Sequence, residues 1–497
     1  MSRDRYQGSI TVFLSLVGVL LIALVCALAE SARIQGARAW AAAVTDMGLF
    51  SVFGEYEREL LENYDVLLLD GAFGTGDFSP ERVAWRMQDY MKYNTSPTEG
   101  LKKRAVNLFP MTAESCQITG YTLATDENGN AFYQQVVEGI RENLGMELLL
   151  RFQKDIQEAK RQQEAAEEYE NQDAFAWDNL EKVQELQKKA DGEEEQADPE
   201  PVQEAPQENP LDTIKKIKEM GILGLVVKEP AGISEKRVEA SGLPSNRKRN
   251  KGNLPLKETE KGLISDGIFQ EYLLGHFSAW TDPWDQEGLA YQMEYILIGK
   301  NSDKENLKGV VNRLLLLREG VNLVYILSDT KMRTQIKTLA LGLGGAAPVP
   351  GLCIALEAVL ALAWAYAESL LDVRTLLSKG RVPPMKDASS WKLSLSNLAK
   401  VTELFDSCDD GGGTGQDYED YLRILLFAGK KGRYPLRALD MMESSLGDQR
   451  ARADGWIVRA KAETAWRFSG VFFRVTEAFL PVTSGEAPYR VTGELEY

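Results

Sequence analysis

Histidine is almost absent from this chain: among 497 residues there is one, His276, set in the stretch "LLGHFSAW". A multi-histidine metal site is thereby excluded, and a Ser-His-Asp or Cys-His centre would have to be built on His276. Its apolar and aromatic neighbours fit a packed, hydrogen-bonded imidazole better. Cysteine is scarce too. Cys26, Cys116, Cys353 and Cys408 lie far apart with no CxxC pair, so neither a zinc site nor a dense disulfide framework is signalled. Buried thiols are the expected state, with Cys116 and Cys408 the one pairing to consider for a body outside the cell. Positive charge is in deficit, 57 Lys plus Arg against 74 Asp plus Glu, and the net charge of -17 would repel nucleic acid and anionic lipid.

One segment lacks charge and proline altogether. Ile10 to Ala29 contains neither, and a single glycine, Gly18. Twenty helical residues rise about 30 Å, the thickness of a bilayer's hydrocarbon core, so the segment predicts a transmembrane helix. Arg3 and Arg5 before it predict a cytoplasmic N-terminus and an extracytoplasmic body, while Arg33 and Arg38 on the far flank weaken that orientation. Two processed forms compete. "ALAE" puts Ala27 and Ala29 in the A-x-A pattern of a cleaved signal, and Gly8 after Arg3 and Arg5 has the shape of a pilin-type leader, although Phe13 stands where such a leader's glutamate is expected. The length of the apolar run and the helical periodicity after it favour a retained anchor. Ala37, Ala41, Val44, Gly48, Val52, Tyr56 and Leu60 continue an apolar stripe, which predicts one helix to about Tyr64. Ala23, Ala27 and Ser31 recur every four positions and, with Ala37, mark a small-residue face that a partner helix could approach closely.

"GSITVFLSL" followed by "ESARIQGARAWAAAVTDMGLFSVFGEYERELLENYDVLLLD" resembles an uncharacterised bacterial family, found mainly in Gram-positive anaerobes, that is grouped with TadE/TadG-like proteins of tight-adherence pilus systems. "YQMEYILIGKNSDKENLKGVVNRLLLLREGVNLVYIL", "LAWAYAESLLDVRTLLSKGRVP" and "YEDYLRILL" are similar to the same family. The resemblance implies a bitopic surface protein near a pilus assembly system and implies no catalytic residues.

The remaining chain reads as α+β and mainly helical. After residues 1–30, the stub and transmembrane helix, residues 31–130 are expected to hold the long helix and a small α/β unit: a strand and glycine turn in "YDVLLLDGAFGTGD", a helix started at Ser79-Pro80, and a hairpin at Asn128-Gly129. Residues 131–190 read as a charged, exposed or coiled-coil-like helix, and the acidic, proline-rich residues 191–210 as disordered. Residues 211–262 read as a short helix, a strand and a solvated linker carrying Arg247, Lys248, Arg249 and Lys251. Residues 263–497 read as a helical C-terminal domain with terminal strands, including a helix capped at Asp303 with Leu307, Val311, Leu314, Leu315 and Arg318 on successive turns. Leu352 to Ala367 is only 16 residues and contains Glu357, so a core helix is favoured over a second span.

Local motifs point to little chemistry. "DGAFGTGD" has the wrong glycine order for a dinucleotide loop, and "DDGGGTGQD" lacks a phosphate loop's lysine. Asp126, Asn128 and Asn130 start a calcium-like loop whose last carboxylate is out of register, since Val137 holds the twelfth place. Ser389 and Lys392 match Ser-x-x-Lys by letters alone. Glu294, Lys300, Asp303 and Glu305 read as a helix start with a surface pair, and Glu357, Glu368 and Asp372 as polar anchors in an apolar helix. The expected protein is therefore a non-enzymatic envelope component with no catalytic, metal or cofactor site, joined to the membrane by Ile10 to Ala29 and to protein partners of a surface or pilus assembly. The alternative is a membrane-anchored extracytoplasmic hydrolase using Glu368 and Asp372 as acid and base.

Overall fold

Without proline to interrupt it, the first helix runs much further than its apolar segment. α1 spans Asp4–Phe53, 50 residues rising about 75 Å. The computed structural model describes residues 4–95, 109–141, 146–191, 210–257, 262–285, 287–344, 351–408, 414–447, 451–469 and 488–497. α1 stops at Gly54, where Gly54 N bonds Phe50 O and Glu55 N bonds Val52 O. Tyr56 and Leu60 therefore do not continue the α1 stripe as expected: Leu60 and Tyr64 are buried by a separate helix, α2 (Arg58–Tyr64). The described chain forms two compact units.

The first unit comprises Met1–Gln135, Lys248–Glu258 and Asp448–Tyr497. Its sheet contains β1 (Leu69–Asp70), β2 (Met111–Leu123), β3 (Trp456–Phe468) and β4 (Tyr489–Glu496), and β3 pairs antiparallel with the other three. The expected C-terminal domain thus loses its last strands to the N-terminal unit. β3 buries Ala460, Ala462, Thr464 and Trp466 between more accessible Arg459, Lys461 and Glu463. Those small residues leave room for α1 on the sheet, where Thr45 Oγ1 lies 2.8 Å from Thr464 Oγ1 and the Trp466 indole donates to Thr464 Oγ1 at 2.9 Å. α3 (Pro80–Thr95) adds Val83, Met87 and Met91 to the same core. The last residue closes it, with the Tyr497 hydroxyl donating to Phe53 O and the two rings 4.7 Å apart.

Asn128-Gly129 does make a left-handed turn, with φ of 62° and 85°, but it opens α4 (Asp126–Arg141) instead of closing a hairpin. β2 finds its partner more than 300 residues away, in β3. The basic linker is solvated only in part: Lys248 and Lys251 are exposed, but its backbone is held in place. Asn253 N and Leu254 N bond Tyr121 O, Gly252 N bonds Asp126 Oδ1 at 2.9 Å, and Arg249 donates to Asn128. A Cβ on Gly252 would lie 2.2 Å from Asp126 Oδ2 and 2.6 Å from Tyr121 O, so this strap fits only without a side chain there. The "DGAFGTGD" turn is held by Asp70, whose carboxylate accepts from Ala72 N and Gly74 N at 2.9 and 2.7 Å.

The second unit, Val136–Arg247 and Thr259–Gly447, is helical. It contains α5 (Met146–Asp191), α6 (Pro210–Glu219), α7 (Ile222–Val226), α8 (Leu263–His276), α9 (Gln292–Ile298), α10 (Asp303–Ser328), α11 (Thr330–Leu343), α12 (Leu352–Leu377), α13 (Tyr418–Ala428) and α14 (Tyr434–Ser445). α7 replaces the strand expected in "GILGLVV". α12 has the composition of a membrane span but is a core helix: its most apolar stretch has mean hydropathy 1.6 and is 78% buried. α5 is charged yet not free-standing. Ile156, Ala159, Ala166, Tyr169, Ala176 and Leu180 form a buried seam at three-, four- and seven-residue spacing, packed on α10 and α12. At Gly320 of α10 a Cβ would come within 2.4 Å of the Ala165 backbone, so the two helices touch where only glycine allows it. The α10 cap is Ser302, not Asp303, and its hydroxyl accepts from Glu305 N. The acidic stretch expected to be disordered lies, except at its ends, outside the described residues, as do Asp409 to Gly413 of the glycine-rich loop.

Candidate functional site

Two regions carry the candidate residues. On α1 the most apolar 18-residue stretch has mean hydropathy 3.0 and none of it is buried, with Phe13, Leu20 and Ile22 each about two-thirds exposed. In a water-soluble helix that surface would be covered; here it is long and apolar enough to cross a membrane. The first charge after the run, Glu30, is buried against Arg33, which donates to it at 2.6 Å and to Ser469 O at 2.7 Å. Of the four small residues singled out, Ala23 and Ser31 are exposed and Ala27 is half-buried. Ala37 is fully buried inside its own unit, so it is removed from the partner-facing set. Periodicity alone could not separate it from the others because the same stripe serves both surroundings.

The second region is the pair Glu368 and Asp372 on α12. Both are fully buried, as are Arg318 of α10 and, nearly so, Lys386. Lys386 Nζ lies 2.6 Å from Glu368 Oε1 and 2.7 Å from Asp372 Oδ1, while Arg318 Nε lies 3.0 Å from Asp372 Oδ2. Two cations thus balance two carboxylates. Further hydrogen bonds surround the four: Arg318 donates to Pro383 O, Pro384 O and the Tyr421 hydroxyl, Asn322 to Ser369 and Asp372, and the backbone N–H groups of Lys392 and Leu393 to Glu368. Burial leaves Glu368 above the ordinary carboxylate value despite Lys386. Burial works on Asp372 as well, but Lys386 and Arg318 together hold it below that value. A hydrolytic pair needs access to substrate; this one is a closed tetrad that joins α10 to α12. Glu357, grouped with them beforehand, is only half-buried. The stretch "VPPMKDASS" has no periodicity that would place Lys386 here from sequence.

Glu294 and Asp303 are not a surface pair. Asp303 is fully buried and accepts from Ala290 N, Tyr291 N and the Ser234 hydroxyl. Burial raises Glu294 to about 7, with Trp280 N and the Tyr418 hydroxyl as donors. His276 stacks on Tyr272 at 4.6 Å with Nδ1 3.0 Å from Tyr272 O, a packed imidazole. Ser389 bonds Asp387 and Lys392 Nζ donates to Thr375, so the Ser-x-x-Lys letters have separate partners. Cys26, Cys116 and Cys353 are free thiols, and burial raises Cys116 to about 11. The side chain of Cys408 lies outside the described residues. Among the described residues no group of three His, Cys, Asp or Glu is arranged to hold a metal ion.

No curated protein and no solved structure matches the chain. A family model described as a family of unknown function, DUF5702, matches residues 200–467. That match takes in α6 to α14, the buried tetrad and nearly all of β3, and it covers more than half of the chain. The chain belongs to the DUF5702 family.

Proposed function

We propose that this protein is a bitopic cell-envelope component without enzymatic activity, anchored once by Ile10 to Ala29 with its N-terminus in the cytoplasm and its body outside. In this reading it serves a tight-adherence-type pilus or a related surface assembly. The observation that carries it is the bare apolar half of α1 continuing, in one helix, into the core of a folded unit. Such a helix couples whatever grips it in the membrane to the body beyond. Ala23, Ala27 and Ser31 support a gripping partner, because small residues let a second helix pack closely within lipid. The burial of Glu368 and Asp372 weighs against their use in hydrolysis. Photo-crosslinkers at Ala27 and Ser31 in the native envelope test the reading. They are expected to capture another membrane protein, with less captured after Ala23→Leu, while a crosslinker at the buried Val52 gives intramolecular products only. Capture of lipid alone from both positions would reduce α1 to a tether and remove the assembly role.

A further inference from the structure

The second unit contains a pocket of about 480 Å³ walled by α5, α10, α13 and the start of α14. Its lining carries Arg313, Lys430, Arg433 and Arg437 against Glu167 and Glu170, four cations to two carboxylates, a local excess of two positive charges in a chain of net charge -17. None of these four cations forms an ion pair among the described residues. The guanidiniums converge all the same: Arg313 and Arg437 both donate to the carbonyl of Leu297, at 3.4 and 3.0 Å, and Arg437 also reaches Ile296 O at 2.8 Å. Each uses one nitrogen for these bonds and leaves the rest of its five donors for another acceptor.

Two further features face the same space. Tyr434 is 2% exposed and its hydroxyl has no hydrogen-bond partner, an arrangement that costs free energy unless something else accepts or donates there. A Cβ on Gly429 would lie 1.8 Å from that hydroxyl, so glycine is what leaves it room. Burial lowers Arg437, with Arg433 adding to the shift and Tyr295, Tyr434 and Asp440 opposing it.

We infer that this pocket binds the phosphate group of an anionic ligand, with Arg313, Arg433 and Arg437 as the charged clamp and Tyr434 as a neutral donor. A dianion matches the excess of two charges, and planar guanidinium forks suit tetrahedral oxyanions. The apolar wall of Leu297, Ile298 and Leu316 leaves room for an organic portion beside the phosphate. The inference does not depend on the orientation of the chain in the membrane.

The test is calorimetric titration of the full chain in non-ionic detergent with inorganic phosphate, glycerol 3-phosphate and dioctanoyl phosphatidylglycerol, which separates a free phosphate from a lipid source. Saturable binding of at least one probe is expected. Arg433→Ala and Tyr434→Phe should each weaken it about tenfold or more, with unliganded melting temperature unchanged because neither side chain has a partner to lose. Absence of saturable binding by all three probes up to roughly 10 mM, above the millimolar range of weak sites, would overturn the inference. So would undiminished affinity in both variants.

Discussion

Arg318 Nε donates to Asp372 Oδ2 at 3.0 Å where neither side chain meets solvent. Taking either charge away leaves the other buried among Lys386, Glu368 and Asn322 with its balance broken. Arg318→Met is expected to lower the stability of the helical unit by about 3–5 kcal/mol, the usual cost of halving a buried pair. Urea denaturation followed by far-UV circular dichroism measures it. A loss under ~1 kcal/mol, as for an exposed pair, would show that the tetrad does not hold α10 to α12.

Glu319 gives the unit a pH dependence. Burial raises it from an ordinary 4.5 to about 8, with Lys218 opposing and Asp173 adding to the shift. Between those values the folded state holds a proton that the unfolded state has released, so stability falls as pH rises from about 4.5 and levels off above about 8. Glu319→Gln should flatten this part of the curve and stabilise the protein at pH 8 by a few kcal/mol. Melting temperature measured from pH 5 to pH 9 in both proteins checks it; parallel curves would contradict the assignment.

Gly320→Ala tests the seating of α5. The added methyl would sit 2.4 Å from the carbonyl group of Ala165, and backbone cannot give way as a flexible side chain does. A loss of about 2–3 kcal/mol is expected from this overpacking, with faster amide hydrogen exchange along Ile156 to Leu180. Unchanged exchange there would mean that α5 rests on α10 less closely.

Much of this architecture can be read from residues alone, for identifiable reasons. The apolar half of α1, the start of α3 at Pro80 and the burial of α12 follow from local pattern. The end of α1 does not, because the stripe through Tyr56 and Leu60 continues in phase across a helix break. β3 is hidden by composition: its buried face is Ala460, Ala462 and Thr464, small residues chosen by the nearness of α1 and not by strand propensity. The hairpin expected at Asn128-Gly129 fails because β2 pairs with a strand more than 300 residues later, and such non-local pairing leaves no local signature. Glu368 and Asp372 were visible as polar residues in an apolar helix; their partners Arg318 and Lys386 are brought to them only by the fold.

The proposed envelope role requires a body outside the membrane, and labelling of one cysteine tests that most directly. Lys160→Cys, an exposed position on α5, would be placed in a chain whose native cysteines are replaced by serine. Intact cells with an opened wall would then be treated with a membrane-impermeant maleimide. With the body outside, the cysteine at this position is labelled before the membrane is ruptured; labelling only after rupture would place the body in the cytoplasm and contradict the proposed envelope role.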